Sequence, residues 1–70
     1  MQMKWIKVED QKPPIAQMLI GYQKNSNADV IDFMWYWGNQ KGLDDWESYQ
    51  GHIEYPTHWM HLPHPPELPN

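Results

Sequence analysis

The 70-residue chain contains no cysteine, no arginine, a single phenylalanine and two serines. Without cysteine, disulfides and thiolate metal sites are excluded, and a reducing compartment is compatible with that absence. No apolar run approaches the roughly 18 residues of a membrane span, and residues 1–7 lack the apolar core of a signal peptide. We therefore expect a cytoplasmic protein with no membrane partner.

Positive charge is also scarce, and it is unevenly spread along the chain. The net charge is −4; all five lysines lie in residues 1–41, whereas residues 42–70 have five acidic residues and no lysine. An acidic domain without arginine is poorly suited to binding phosphate, which argues against a nucleic-acid partner. The acidic half either faces a basic partner or only keeps the chain soluble.

Aromatic residues are what the chain has in abundance, with five tryptophans and four tyrosines. A chain of this length buries only about 60% of its unfolded surface, but each large aromatic side chain can bury roughly 150–250 Å². We expect one domain over residues 1–70, with a core at about 4–62 and an extended Pro-rich tail at 63–70. A thin core with free edge strands also favours a homodimer.

The apolar pattern predicts strands. Residues 28–37 alternate β-branched and aromatic residues with other side chains, which is typical of a strand. Shorter segments at 17–23, 45–49 and 57–62 fit further strands, and residues 24–28 and 38–42 fit turns. The expected fold is mainly β: a small antiparallel meander of three or four strands with the Pro-rich tail packed on it.

Two groups of residues are candidates for binding a partner. If Trp35 and Trp37 face the core, Met34 and Tyr36 face outward, where an aromatic side chain can anchor a protein or stack on single-stranded bases. The other group is acidic and follows the turn at 38–42. Together the candidate partner-binding residues are Met34, Tyr36, Asp44, Asp45 and Glu47.

Catalytic and metal-binding patterns are weak. In a polyproline II tail, histidines three residues apart lie about 9 Å apart, too far to share a metal that holds its ligands at about 2.0–2.1 Å. Asp45 and Glu47 share a strand face, but acids beside a glycine turn are usually solvated. We expect no enzyme, no cofactor and no metal. The histidines considered are His52, His58, His61 and His64.

The proline-rich ending allows two interpretations. Its Pro-x-x-Pro spacing fits a ligand for an aromatic groove of another protein, and its prolines also fit against the tryptophans of this chain. We favour the second, a structural clasp that closes the sheet. Trp59 and Leu62 are then expected to be buried, and His61 and His64 exposed. The residues assigned to the clasp are Trp5, Trp59, Met60, Leu62 and Pro63.

Both ends of the chain resemble a small phage and prophage family, the domain of unknown function numbered 551. The matching segments are Trp-Ile-Lys-Val-Glu-Asp at 5–10, followed by Pro13, and Thr-His-Trp-Met-His-Leu-Pro-His-Pro-Pro at 57–66. The family pattern carries proline where His61 stands and an acid where His64 stands. The resemblance therefore gives no support to these histidines as ligands.

The resemblance implies a phage or prophage origin, and it implies no activity. Small phage accessory proteins often bind and block a host protein, which is an argument by analogy. The leading hypothesis is a non-enzymatic accessory protein that binds a host protein or complex, with inhibition of a host defence complex such as a CRISPR system as its specific form. The alternatives are a single-stranded nucleic-acid-binding module that uses sheet aromatics and a small metal-dependent enzyme.

Overall fold

The computed structural model describes residues 4–63, which form one five-stranded antiparallel sheet. The strands are β1 (Ile6–Lys7), β2 (Leu19–Asn25), β3 (Ala28–Gln40), β4 (Leu43–Ser48) and β5 (His58–His61). Their order across the sheet is β1-β5-β2-β3-β4. The predicted mainly β, antiparallel fold is confirmed, with five strands in place of three or four. Residues 4–63 contain no α-helix, and so none that is long and apolar enough to cross a membrane.

Strands β2, β3 and β4 form the predicted meander. The pairing of Leu19 with Met34 sets the register of the first hairpin. The second hairpin turns at Lys41 and Gly42, which have φ of 54° and 84°, the two positive φ angles of a type I′ turn. The predicted turn at 38–42 is therefore too long, because β3 continues to Gln40 through an irregularity between Tyr36 and Asn39.

Strand β5 does not continue the meander beside β4; it returns to pair with β2, and β1 pairs with its other side. The connection at 49–57 crosses the sheet, held by side chains that accept its backbone N–H groups. Gln23 Oε1 accepts from Glu54 at 2.9 Å and Tyr55 at 2.8 Å, and Asp32 Oδ2 accepts from Gln50 at 2.8 Å. Segment 57–62 is thus an interior strand of the sheet.

The loop at 8–18 and the connection at 49–57 cover the same face of the sheet. Val8 packs against the core cluster, and Pro13, Ile53 and Pro56 are buried. The core cluster consists of Leu19, Met34 and Trp59, all with no exposed surface. We call this side the covered face, and the opposite side the open face. The open face carries Ile20, Tyr22, Ile31, Phe33, Trp35, Trp37, His58 and Met60.

The predicted orientation of β3 is wrong. Met34 and Tyr36 are buried in the covered face, whereas Trp37 and Phe33 lie on the open face with 38% and 44% of their surface exposed. Alternation along a strand defines two sets of side chains, but the inward set is chosen by the two loops, which cover the Met34 side. Met34 packs directly over Gly21, where an added Cβ would lie 2.2 Å from Met34 Sδ.

The clasp residues have different positions. Trp59 is fully buried, as predicted, and its Nε1 donates to Gln11 O at 2.8 Å. The exposure of His61 is confirmed, whereas Leu62 is half-buried rather than buried. Met60 is half-buried on the open face and Pro63 is exposed. His64 and the tail beyond it lie outside the described residues.

Candidate functional site

Aromatic side chains form a row along the open face of β3. Phe33, Trp35 and Trp37 alternate with the buried side chains of the same strand, so all three lie on one side. Tyr49, just beyond β4, packs edge-to-face on Phe33 with ring centroids 6.4 Å apart. Such a row of partly exposed aromatics is the surface type that supplies binding energy at protein interfaces. Phe33 and Trp37 are exposed, and Trp35 is half-buried.

Carboxylates border this row on the β4 side. Glu47 pairs with Trp35 in the sheet register, and its Oε1 accepts a hydrogen bond from Trp37 Nε1 at 3.0 Å. Asp45 lies two residues earlier on the same strand and is exposed. Because alternate residues of a strand share a face, Asp45 and Glu47 lie beside the aromatic row. The structure therefore brings two of the five predicted partner-binding residues to the open face.

Of the other three, Met34 and Tyr36 were predicted to face outward, and that orientation is wrong. Met34 and Tyr36 belong to the buried side of β3. Asp44 is half-buried and accepts hydrogen bonds from Tyr36 Oη at 2.8 Å, from Asn39 Nδ2 at 3.2 Å and from Lys12 Nζ. These bonds tie the loop at 8–18 to β3 and β4. Asp44 therefore holds the fold together, and its contact with a partner stays a prediction.

The surroundings of Asp44 and Tyr36 shift the pKa values of both side chains. The hydrogen bond from Lys12, followed by those from Tyr36 and Asn39, holds the pKa of the Asp44 carboxyl below its usual range. Burial, together with the hydrogen bond to Asp44, raises the pKa of Tyr36. The folded state therefore favours a charged Asp44 and a neutral Tyr36.

A second aromatic group lies at the other end of the open face. Trp5, Tyr22 and His58 line a cavity of about 200 Å³. The ring centroids are 5.8 Å apart for Trp5 and Tyr22, 6.5 Å for Trp5 and His58, and 5.7 Å for Tyr22 and His58. Sequence reasoning missed this group, because Trp5 and His58 are brought together only by the pairing of β1 with β5.

Asp29 stands beside this second group. Tyr22 Oη donates to Asp29 Oδ1 at 2.7 Å, and Lys24 Nζ lies 3.6 Å from the same oxygen. The hydrogen bond from Tyr22, and then the charge of Lys24, lowers the pKa of Asp29, and the same hydrogen bond raises the pKa of Tyr22. A carboxylate is thus held at the rim of the aromatic group, on the side of Tyr22.

The histidines within residues 4–63 are not gathered into one site. His58 Nδ1 lies 2.8 Å from Thr57 Oγ1, and the His61 ring packs edge-to-face on Trp59 with centroids 5.0 Å apart. No group of three or more histidine, aspartate or glutamate side chains within residues 4–63 has the geometry to hold a metal ion. His52 is exposed in the connection between β4 and β5.

Strand β4 forms one edge of the sheet and carries three carboxylates, Asp44, Asp45 and Glu47. Charged side chains on an edge strand oppose pairing with another chain. Two copies joined along β4 would bring six carboxylates together, so this edge gives the predicted homodimer no support.

Comparison with known proteins gives one match. A family model described as a protein of unknown function (DUF551) matches residues 4–67. Neither the curated proteins nor the solved structures contain a match to the chain. The family match covers both segments on which the sequence resemblance was based, and the chain belongs to the DUF551 family.

Proposed function

We propose that this domain acts by binding another protein through the aromatic row of its open face, without catalysing a reaction. The observation that carries the proposal is that Phe33, Trp35 and Trp37 lie together on one face of the sheet, with Phe33 and Trp37 exposed. Aromatic side chains in the middle of an interface typically supply most of its binding energy. Partial exposure of such residues on one side of a small domain is costly unless that side has a partner.

The charges around the row indicate a basic partner surface. Asp45 and Glu47 border the aromatic side chains, and no lysine lies between residues 42 and 70. An arginine or lysine of the partner would pair with these carboxylates and lie over the Trp37 ring, which adds a cation–π contact. The rest of the acidic chain, with its net charge of −4, would attract the same partner at longer range.

The same carboxylates weigh against the alternative of single-stranded nucleic acid. Bases stack well on exposed sheet aromatics, but their phosphates require a positively charged groove. Here the row is bordered on the β4 side by the carboxylates of Glu47 and Asp45. The alternative would be supported if the chain bound a single-stranded oligonucleotide at low salt and Trp37→Ser abolished that binding. The proposal of a protein partner would then be replaced.

The phage or prophage origin implied by the sequence resemblance suggests where the partner is found. A phage-encoded domain of this kind would work in the bacterial cytoplasm and bind a host protein. Host defence complexes that handle nucleic acid have basic surfaces, which an acidic domain can occupy. Inhibition of such a complex is the specific form of the proposal.

The test compares matched variants in their capture of a protein from a bacterial lysate. Trp37→Ser removes the end of the aromatic row, and Glu47→Lys reverses the bordering charge. Tyr55→Ala is the control, because Tyr55 is an exposed aromatic residue in the connection that covers the other face. We expect one protein to be retained by wild type and Tyr55→Ala, and its recovery to fall about tenfold or more with either face variant.

Each variant is first checked by its thermal unfolding, so that loss of capture is not confused with loss of the fold. Equal recovery on wild type and on both face variants would contradict the proposal. The proposal would also be contradicted if recovery of the captured protein fell with Tyr55→Ala but not with Trp37→Ser.

A further inference from the structure

We infer that Trp5, Tyr22 and His58 form an aromatic cage that binds a methylated ammonium group. Three aromatic rings from three strands or strand ends line one open cavity, and within residues 4–63 no charged or aliphatic side chain lines it. Cages of this composition recognise quaternary ammonium groups through cation–π attraction, since each ring presents a negative face to the cation. The inference does not depend on the aromatic row on β3, because the two groups share no residue. It can also be tested separately, with a small molecule as the ligand.

The arrangement of the rings fits a cation. The His58 ring is inclined by 81° to Trp5 and by 71° to Tyr22, and the Trp5 and Tyr22 planes are inclined by 55°. The His58 ring therefore packs edge-to-face with both other rings, and no two of the three rings form a parallel stack. Because all three centroids lie within 6.5 Å of one another, a cation above their centre is within the roughly 6 Å of each ring that a cation–π contact requires.

The size of the cavity fits one chemical group of a ligand rather than a whole small molecule. Its volume of about 200 Å³ is below the roughly 300–1,000 Å³ of pockets that enclose small molecules. A trimethylammonium headgroup or the end of a methylated lysine side chain fits this description. The rest of either ligand would lie in solvent or on the open face.

The chemistry of the walls favours methylated over primary ammonium. A primary ammonium is strongly hydrated and needs hydrogen-bond acceptors to replace its water. In the cage the Tyr22 hydroxyl is already engaged with Asp29, and His58 Nδ1 is within hydrogen-bond distance of Thr57 Oγ1. Methylation removes the hydrogen-bond donors, so the rings alone can hold the ion.

Nearby charges complete the site. The Asp29 carboxylate accepts from Tyr22 Oη and so places a negative charge at the rim of the cage. Lys24 is 3.6 Å from that carboxylate and partly neutralises it. Lys7 pairs with His58 across β1 and β5, and together with His58 and Glu9 it lines the adjoining groove. The carboxylates of Asp29 and Glu9 therefore lie near the cage together with the ammonium groups of Lys24 and Lys7.

The test is a titration of the full chain at pH 8 with choline, followed by tryptophan fluorescence and by the backbone amide signals of residues 5, 22 and 58. Two compounds serve as comparisons: 3,3-dimethylbutanol, the neutral isostere of choline, and potassium chloride at matched ionic strength. We expect saturable millimolar binding of choline, at least about tenfold weaker binding of the isostere, and no saturable change with potassium.

Variants locate the binding in the cage. Trp5→Ala is expected to weaken choline binding about tenfold, and Trp5→Phe to restore most of it, because a smaller ring keeps the cation–π contact. Tyr55→Ala, on the other side of the sheet, leaves the affinity unchanged. A peptide carrying trimethyl-lysine, compared with the unmodified peptide, then distinguishes a protein-borne ligand from a free one.

Three results would overturn the inference. They are no saturable binding of either choline or the trimethyl-lysine peptide, equal binding of choline and its neutral isostere, and binding that survives Trp5→Ala. Equal binding of the isostere would identify an apolar pocket, of the kind that takes a proline ring. None of these results bears on the aromatic row of β3, whose test uses Trp37 and Glu47.

Discussion

Asp44 and Asp45 are adjacent in sequence and chemically identical, yet they have different roles. Asp44 points to the covered face and accepts from Lys12, Tyr36 and Asn39, whereas Asp45 is exposed beside the aromatic row. No local pattern separates the two, because the partners of Asp44 include Lys12, 32 residues away. The same holds for the aromatic cage, whose members meet only through strand pairing.

The lowered pKa of Asp44 predicts a pH dependence of stability. A carboxyl whose pKa is lower in the folded state stabilises the fold above its unfolded pKa of about 3.9, and this contribution is lost as the pH falls through the folded value. Asp44→Asn is therefore expected to cost about 1 kcal/mol at pH 7. Its deficit relative to wild type should shrink below about pH 4.

Urea unfolding between pH 7 and pH 2 measures this difference, with Asp45→Asn as the matched control that removes the same charge and none of these hydrogen bonds. Parallel curves of stability against pH for wild type and Asp44→Asn would show that the charged form of Asp44 adds nothing to stability. On the alkaline side, Tyr36 contributes stability below its unfolded pKa of about 10, and loses it as the pH rises through its higher folded value.

At the scale of the strands, much of the fold follows from alternation and turn residues. The run at 28–37 predicted most of β3, and the short apolar segment before it predicted β2. Neither pattern states which side of β3 is buried, since both sides carry large apolar residues. The two loops decide that, and their contacts with Gln23, Asp32 and Trp59 span up to 48 residues.

The β3–β4 turn offers a prediction at this scale. Lys41 has a positive φ of 54°, a conformation that disfavours lysine and suits asparagine. Lys41 is exposed, and Asn39 Oδ1 already accepts from Gly42 N at 3.1 Å. Lys41→Asn is therefore expected to raise the free energy of unfolding by about 0.5 kcal/mol, by the Asn-Gly preference of type I′ turns.

Thermal or urea unfolding of wild type and Lys41→Asn tests this expectation. Lys41→Val is the opposite control, because a β-branched residue is strained at positive φ and should lower stability. If the asparagine variant proved less stable than wild type, the assigned turn geometry would be incorrect.

At the scale of the whole molecule, the sheet has one covered and one open side. Both long loops pass over the side of Leu19, Met34 and Trp59, and within residues 4–63 the aromatic side chains Phe33 and Trp37 of the other side are exposed. The sequence identified the large number of aromatic residues and the acidic residues beside them. It predicted the wrong side of β3 to be buried. The proposed protein-binding row and the ammonium cage both depend on this open face.

The most direct test is therefore a map of tryptophan accessibility in the free chain. Hydroxyl-radical labelling with mass spectrometry gives the oxidation rate of each of the five tryptophans. We predict that Trp5 and Trp37, with 37% and 38% of their surface exposed, oxidise fastest, and that Trp59, with none exposed, oxidises slowest. Trp37 as protected as Trp59, or Trp59 as reactive as Trp37, would contradict the open face.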